Sequence, residues 1–261
     1  MNSAIGPIRR FRQYTPFLRQ LVKRDFTAKY KRSIIGIAWS VISPLFQMMI
    51  MVIVFTTYLG KGIEKFPVYI ICGRLVFHFF SEATTLSQYS ITGGVNYITK
   101  VSIPVYMLPL SKVISSLINT LVSLIALAIV MLATSAPPSL TTFLLPLPLI
   151  YTFFISLGVG MLLATTTVIF QDMIHLYNII TLALMYLTPI FYSESIYPAQ
   201  YAGFFRINPL LHLVKMFRNV VYLNTLPTLQ DNMICAGYSI LFLALGSSVL
   251  RRNRNRLVLH I

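Results

Sequence analysis

The sequence predicts an all-α integral membrane protein with six transmembrane helices, and three observations carry that prediction. Hydrophobic residues make up 56% of the 261-residue chain and charged residues only 10%, with a mean hydropathy of +0.75, a balance that no soluble domain of this size needs for its core. The apolar residues gather in runs long enough to cross a hydrocarbon core of about 30 Å as helices. The basic residues gather at the edges of those runs. Arg9, Arg10, Arg12, Arg19, Lys23, Arg24, Lys29, Lys31 and Arg32 precede the first run, and Arg251, Arg252, Arg254 and Arg256 follow the last. A formal net charge of +15 would by itself fit nucleic acid, but charges that flank spans are the signature of membrane topology. No nucleic acid is expected as a partner.

The stretch RDFTAKYKRSIIGIAWSVISPLFQMMIMVIVF, residues 24–55, sets the first span and its direction. Arg24, Lys29, Lys31 and Arg32 stand against the single Asp25 at its start, and no charge follows between Ser33 and Phe55. Lys and Arg packed at one end of a span stay cytoplasmic, so this span, about 34–59, runs from inside to outside. Trp39 falls near the inner interface and Tyr58 near the outer one, where amphipathic rings prefer to sit. Pro44 is expected to kink it. Upstream, over 8–26, Phe11, Tyr14, Leu18, Leu21 and Val22 recur at helical spacing, with Arg12, Arg19 and Lys23 on the opposite side. That pattern is an amphipathic helix lying on the membrane surface, either a lipid anchor or a helix that also offers its basic face to a cytoplasmic partner. The first apolar run starts too late and is too long for a signal peptide, so no cleavage is expected.

A second span is expected over 66–87, and it contains an oddity. Arg74, His78 and Glu82 are four apart and share one helical face in an otherwise apolar segment. Ionisable groups there are costly and face a protein interior or a watery path, so the row is either satisfied within the bundle or lines a route for a hydrophilic substrate. Residues 89–105, with Gly93, Gly94, Asn96, Lys100 and Pro104, form an inner loop long enough for a short helix. Spans three (108–133) and four (143–169) follow, joined by an outer turn at Pro137 and Pro138; Gly158 and Gly160 in the fourth permit close helix packing. Gln171, Asp172 and His175 make a tight inner loop before span five (176–192). Within 193–231 the apolar stretches are too short to cross and are broken by Pro198, Pro209 and Pro227, which suits re-entrant or interfacial helices at the outer surface, with Arg206, Lys215 and Arg218 on offer there. Span six (233–250) ends at the basic tail 251–261. The expected organisation is one membrane domain over 1–261, its six spans within 34–250 and both termini cytoplasmic.

Enzyme chemistry is not apparent. The six acidic residues are scattered, leaving no carboxylate pair for acid and base work. The four His residues show no metal-ligand spacing, and Cys72 and Cys235 sit in apolar runs as packing residues. GxSxG and GxxxxGK[ST] are both missing. Neither a selectivity loop nor a pair of related halves with matching broken helices can be found.

Four blocks in order resemble a family: KRDFTAKYKRSIIGIAWSVISPLFQMMIMVIVF at 23–55, NYITKVSIPVYMLPLSKV at 96–113, MYLTPIFYSESIYP at 185–198 and NPLLHLVKMFRNVVY at 208–222. They are similar to permease subunits of type 2 ABC transporters that export O-antigen, capsule or teichoic acid. The family commonly places a basic residue where Gln171 precedes Asp172, and rarely a charge at Arg74. The resemblance implies a homodimer in the bacterial inner membrane, with two copies of a separate ATPase that carries the ATP and Mg; no cofactor is expected on this chain. It further implies that a polysaccharide on a polyprenyl diphosphate lipid moves between the copies. Pathway candidates are Arg24, Lys29, Lys31, Arg32, Trp39, Tyr58, Tyr69, Arg74, Phe77, His78 and Glu82. Candidates for coupling to the ATPase are Asn96, Tyr97, Ile98, Thr99, Lys100 and Val101, flanked by Arg12, Arg19 and Lys23. An ABC permease for a drug or small lipid, and a membrane scaffold that transports nothing, remain the alternatives.

Overall fold

The computed structural model describes residues 7–31, 33–56, 63–95, 97, 103–196, 200, 202–254 and 257, and all regular elements among them are helical. The helices are α1 (Pro7–Tyr30), α2 (Trp39–Phe55), α3 (Phe66–Gln88), α4 (Met107–Ala133), α5 (Pro146–Ile169), α6 (Met173–Leu187), α7 (Ala202–Arg206), α8 (Pro209–Val221) and α9 (Leu229–Arg252). Among the described residues four segments are long and apolar enough to cross a membrane: Gly36–Phe55, Met107–Ala133, Leu140–Ile169 and Leu229–Arg252. The other two expected spans differ. At 23 residues α3 has the length, but Arg74 and Glu82 interrupt its apolar run. At 15 residues α6 extends only about 22 Å at roughly 1.5 Å per residue. It begins three residues earlier than expected, taking in His175, and stops where Thr188 turns extended ahead of Pro189, which disfavours helix in the residue before it.

The surface helix forms as its pattern requires. Leu18 packs on Met107 and Leu110, Leu21 packs on Ile103 and Leu108, and Arg12, Arg19 and Lys23 face outward. Gly36 makes the corner into α2 with φ +55, a left-handed backbone that only glycine adopts freely, while Ser33 Oγ accepts its N–H at 3.1 Å. Helix α2 is continuous through Pro44, and none of its residues is buried.

The core lies among α3, α4, α5, α8 and α9, where Phe79, Val113, Leu127, Ile155, Leu213 and Phe217 are buried in one cluster. Helix α8 is its centre: every residue except Pro209 and Lys215 is buried. This corrects the expectation that Arg218 is on offer at the surface. Its guanidinium is only 5% exposed, lies 3.4 Å from the centre of the Tyr69 ring, and donates to the carbonyls of Pro189 at 2.6 Å, Ile190 at 2.9 Å and Tyr69 at 3.2 Å. The carbonyls freed where α6 ends need a donor in an apolar setting, and Arg218 supplies several at once.

Hydrogen bonds sort the loops to two ends. At one end, Lys65 Nζ donates to Ser135 O at 3.0 Å, Thr141 Oγ1 to Val220 O at 2.8 Å, Tyr222 Oη to Glu64 O at 2.6 Å and Tyr69 Oη to Tyr192 O at 2.9 Å. At the other, Ser87 at the end of α3 donates to Pro109 O, and Tyr177 near the start of α6 donates to Thr84. Helices α3, α4, α5 and α6 therefore alternate in direction. His212 ties α8 to α9, its Nδ1 at 2.9 Å from Asp231 Oδ1 and its Nε2 at 2.9 Å from Arg206 O, and Tyr238 Oη donates to Ile207 O two turns further along.

Helices α5 and α9 cross with their backbones in contact. A Cβ added at Gly246 would fall 2.3 Å from Gly158 O, one at Gly158 would fall 2.3 Å from the Phe242 backbone, and one at Gly160 would fall 2.8 Å from Ser87. The expectation for Gly158 and Gly160 thus holds. Backbone cannot yield as a flexible side chain can, so Gly246→Ala is expected to cost roughly 1 to 3 kcal/mol, read as a lower unfolding temperature in detergent. Gly237→Ala on the same helix meets open space and should be neutral; equal unfolding temperatures for the two variants would contradict the crossing.

Candidate functional site

Two members of the row on α3, Arg74 and His78, form part of the wall of a cavity. A space of about 330 Å³ is lined by Lys29 and Tyr30 of α1, Trp39, Ser40, Ser43 and Gln47 of α2, Arg74 and His78 of α3, and Asn119 and Ser123 of α4. Arg74 donates through Nε at 2.9 Å and through Nη2 at 2.7 Å to Gln47 Oε1, and Nη1 lies 3.9 Å from Met185 Sδ. Gln47 is held in turn by its amide, which donates to Ser43 Oγ at 3.1 Å. Two turns along α3, Glu82 Oε1 meets Lys29 Nζ at 2.6 Å and accepts from Asn119 Nδ2 at 3.1 Å. Glu82 Oε2 is buried with no hydrogen-bond partner among the described residues.

A second cavity of about 370 Å³ shares Lys29 and Asn119 with the first, and is lined further by Glu82, Asp25 and Lys112. There Asp25 is shared: Lys112 Nζ reaches Oδ2 at 2.7 Å and Arg24 Nη2 reaches Oδ1 at 2.9 Å. Arg24 also donates to Tyr97 Oη at 2.7 Å, whose ring packs edge-on against Phe17 at 5.6 Å. Burial opposes the Arg24 charge, but its bonds to Asp25 and Tyr97 outweigh that and leave its pKa above the ordinary arginine value. Tyr97, a coupling candidate, is therefore packed onto α1.

The structure divides the pathway candidates. Lys29, Trp39, Arg74, His78 and Glu82 come together. Arg24 and Lys31 instead border an open groove on the far side of α1 with Lys23. Tyr69 sits at the opposite end of α3 under Arg218, and Phe77 is a core residue, 3% exposed; the four-residue period that joins Arg74 to His78 turns Phe77 to the packed face. Arg32 and Tyr58 lie outside the described residues, as do Asn96, Ile98, Thr99, Lys100 and Val101. Arg12, Arg19 and Lys23 are exposed on α1. Gln47, Asn119, Ser123 and Lys112 were not singled out from the sequence. A signal existed: Ser43 and Gln47 are four apart in an apolar run, and Ser111, Ser115, Asn119 and Ser123 repeat every four along α4. No group of three or more His, Cys, Asp and Glu side chains suited to a metal occurs among the described residues.

The model of the ABC-2 type transporter family matches residues 17–222, from within α1 to the end of α8. The chain belongs to this family. Among curated relatives of this ABC-2 type transporter chain, the O-antigen export system permease protein RfbA of Myxococcus xanthus is 26% identical over 249 residues, covering 95% of this chain and 96% of that protein. The O-antigen export system permease protein RfbA of Klebsiella pneumoniae is 25% identical, covering 79% of this chain and 80% of its own. The polysialic acid transport protein KpsM of Escherichia coli is 23% identical over 88% of this chain and 87% of its own.

Asp25 is the carboxylate that joins α1 to α4. Asp25→Asn should release Lys112 and Arg24 together, so trypsin is expected to cut at Lys23, Arg24 and Lys29 several-fold faster while the unfolding temperature of the helical body stays nearly constant. An unchanged digestion time course would show that apolar packing of Leu18 and Leu21 alone holds α1.

Proposed function

We propose that this chain is the membrane permease subunit of an ATP-driven exporter that moves a polysaccharide, carried on a polyprenyl diphosphate lipid, across the bacterial inner membrane, with O-antigen the favoured class of polymer. The observation that carries the reading is the near end-to-end match to the O-antigen export permease of Myxococcus xanthus, 95% of this chain against 96% of that one. The same class of polymer recurs in the name of the Klebsiella pneumoniae relative.

In this reading α2, α3, α4, α5, α6 and α9 are six spans and both termini are cytoplasmic. The alternation of α3 through α6 between two ends supports it, since a helix of 15 residues continued by extended chain still joins the two loop layers. The re-entrant reading of α7 and α8 is supported by the bonds of His212 and Ile207 to successive turns of α9. The chain works as a homodimer with two copies of a separate ATPase that carries the nucleotide. The exposed faces of α2 (Phe46, Ile50, Ile53) and α6 (Ile179, Leu182, Tyr186) leave room for a second copy. Closure of the ATPase dimer is transmitted through 96–101 and the basic face of α1, and the helices they carry then widen or narrow the path. The basic edge at Arg24, Lys29, Lys31 and Arg32 draws the diphosphate to the inner interface.

Deleting the gene should abolish surface polymer and strand lipid-linked chains inside the cell; unchanged surface polymer would end the reading. Lys100→Glu should lower the ATPase stimulation of the reconstituted transporter severalfold with normal expression if residues 96–101 dock on the motor, whereas full stimulation would assign docking elsewhere.

A further inference from the structure

We propose that the cavity between α2, α3 and α4 is a binding site for an anionic oxygen group, a phosphate or a carboxylate, with Arg74 as its fixed charge. The inference rests on the export reading above and adds to it a chemical requirement on what passes through the middle of the membrane body.

Arg74 and Gln47 each lie eight residues from the start of their helix, about 12 Å at roughly 1.5 Å per residue. A cation at that depth is costly and calls for a counter-charge. None faces it. From α2 comes only the neutral Gln47 oxygen, from α6 only the weakly accepting Met185 sulfur. On α3 the nearest carboxylate is Glu82, two turns away and already joined to Lys29 and Asn119. On α1 Asp25 is taken by Lys112 and Arg24. His78, the other ionisable group on the wall, carries no negative charge in any state. A guanidinium has five N–H donors in a planar fork; two meet Gln47, one points at sulfur, and two have no acceptor among the described residues.

The rest of the wall is rich in donors as well. Tyr30, Ser40, Ser43 and Ser123 bring hydroxyls, and Lys29 stands at the inner end. With Lys29 and Glu82 cancelling, the cavity keeps one positive charge in a setting where an unpaired ion is strongly disfavoured. A neutral sugar would leave that charge as it is. An anion would complete it with charge-assisted, bidentate bonds. Two sources share the chemistry: the diphosphate of the lipid carrier, and an acidic sugar of the polymer.

Trp39 is the single tryptophan of the chain and lines the same cavity, so its fluorescence in the detergent-purified full-length protein reports occupancy. The probes are inorganic pyrophosphate, geranyl diphosphate, a galacturonate trisaccharide and, as the neutral control, maltotriose. At least one anion should shift the emission saturably while maltotriose does not. Arg74→Gln should weaken that binding at least tenfold, Arg74→Lys should retain part of it because the charge stays and the fork is lost, and Gln47→Glu should weaken it at least tenfold by supplying an internal carboxylate. Arg252→Gln, exposed at the end of α9, should bind as wild type. Saturation by the diphosphates assigns the carrier headgroup and saturation by the uronate assigns the polymer; either supports the site. No response to any anion, unchanged affinity in both Arg74→Gln and Gln47→Glu, or loss in Arg252→Gln alone overturns it. A gene deletion that still abolishes surface polymer would, in those cases, leave the export reading standing without this site.

Discussion

A polar group inside a slab of hydrocarbon must find its partner within the protein, because the lipid offers none. That constraint orders most of what is distinctive here. The carbonyls of Pro189 and Ile190 lie just beyond the end of α6, outside any helical ladder, and Arg218 of α8 donates to both. Several buried serines and threonines of α4 and α5 donate back to the carbonyl four residues earlier, as Ser115 does to Ser111 and Thr165 to Met161, which satisfies the hydroxyl without a second helix. Satisfaction is incomplete at Arg74 and at one oxygen of Glu82, which line the polar cavities, and also, among the described residues, at the buried side chains of Gln88, Ser116, Ser156 and Thr167.

The same constraint separates two kinds of arginine that look alike in sequence. Both Arg74 and Arg218 interrupt apolar helices. Arg218 is enclosed by backbone carbonyls and stacked on Tyr69, so its charge acts as a structural fastener for α3, α6 and α8. Arg74 is held by one side-chain oxygen on a helix that has no buried residue. Helix α2 is thus free of the close packing that joins α5 to α9 at Gly158 and Gly246, and the cavity lies along this loosely held side.

Much was legible from residue order. The basic edge before Ser33, the period of α1 and the four-residue spacing of Arg74, His78 and Glu82 are local patterns, and each appears where a 3.6-residue period puts it. The junction at Arg24 is more specific than a topology signal: Asp25, read as a lone exception among basic residues, binds both Lys112 and Arg24. That link spans 87 residues of sequence, and no local pattern contains it. The placing of Arg218 outside failed for a related reason. An apolar stretch of thirteen residues reads as surface or interface by length, while its burial depends on α3, α5 and α9 closing around it.

By itself the sequence determined the class of molecule, the positions of its helices to within a few residues and the face on which ionisable groups occur, because hydropathy and helical period act over a few turns of one chain. Only the tertiary structure decided which of those groups meet. Phe77 and Arg74 are three residues apart, yet one is core and the other borders the cavity; Gln47, Asn119 and Met185, from three other helices, complete the surroundings. Pairing across helices depends on where each helix is held against its neighbours, and that is set by contacts such as the Gly158 and Gly246 crossing that no single segment encodes.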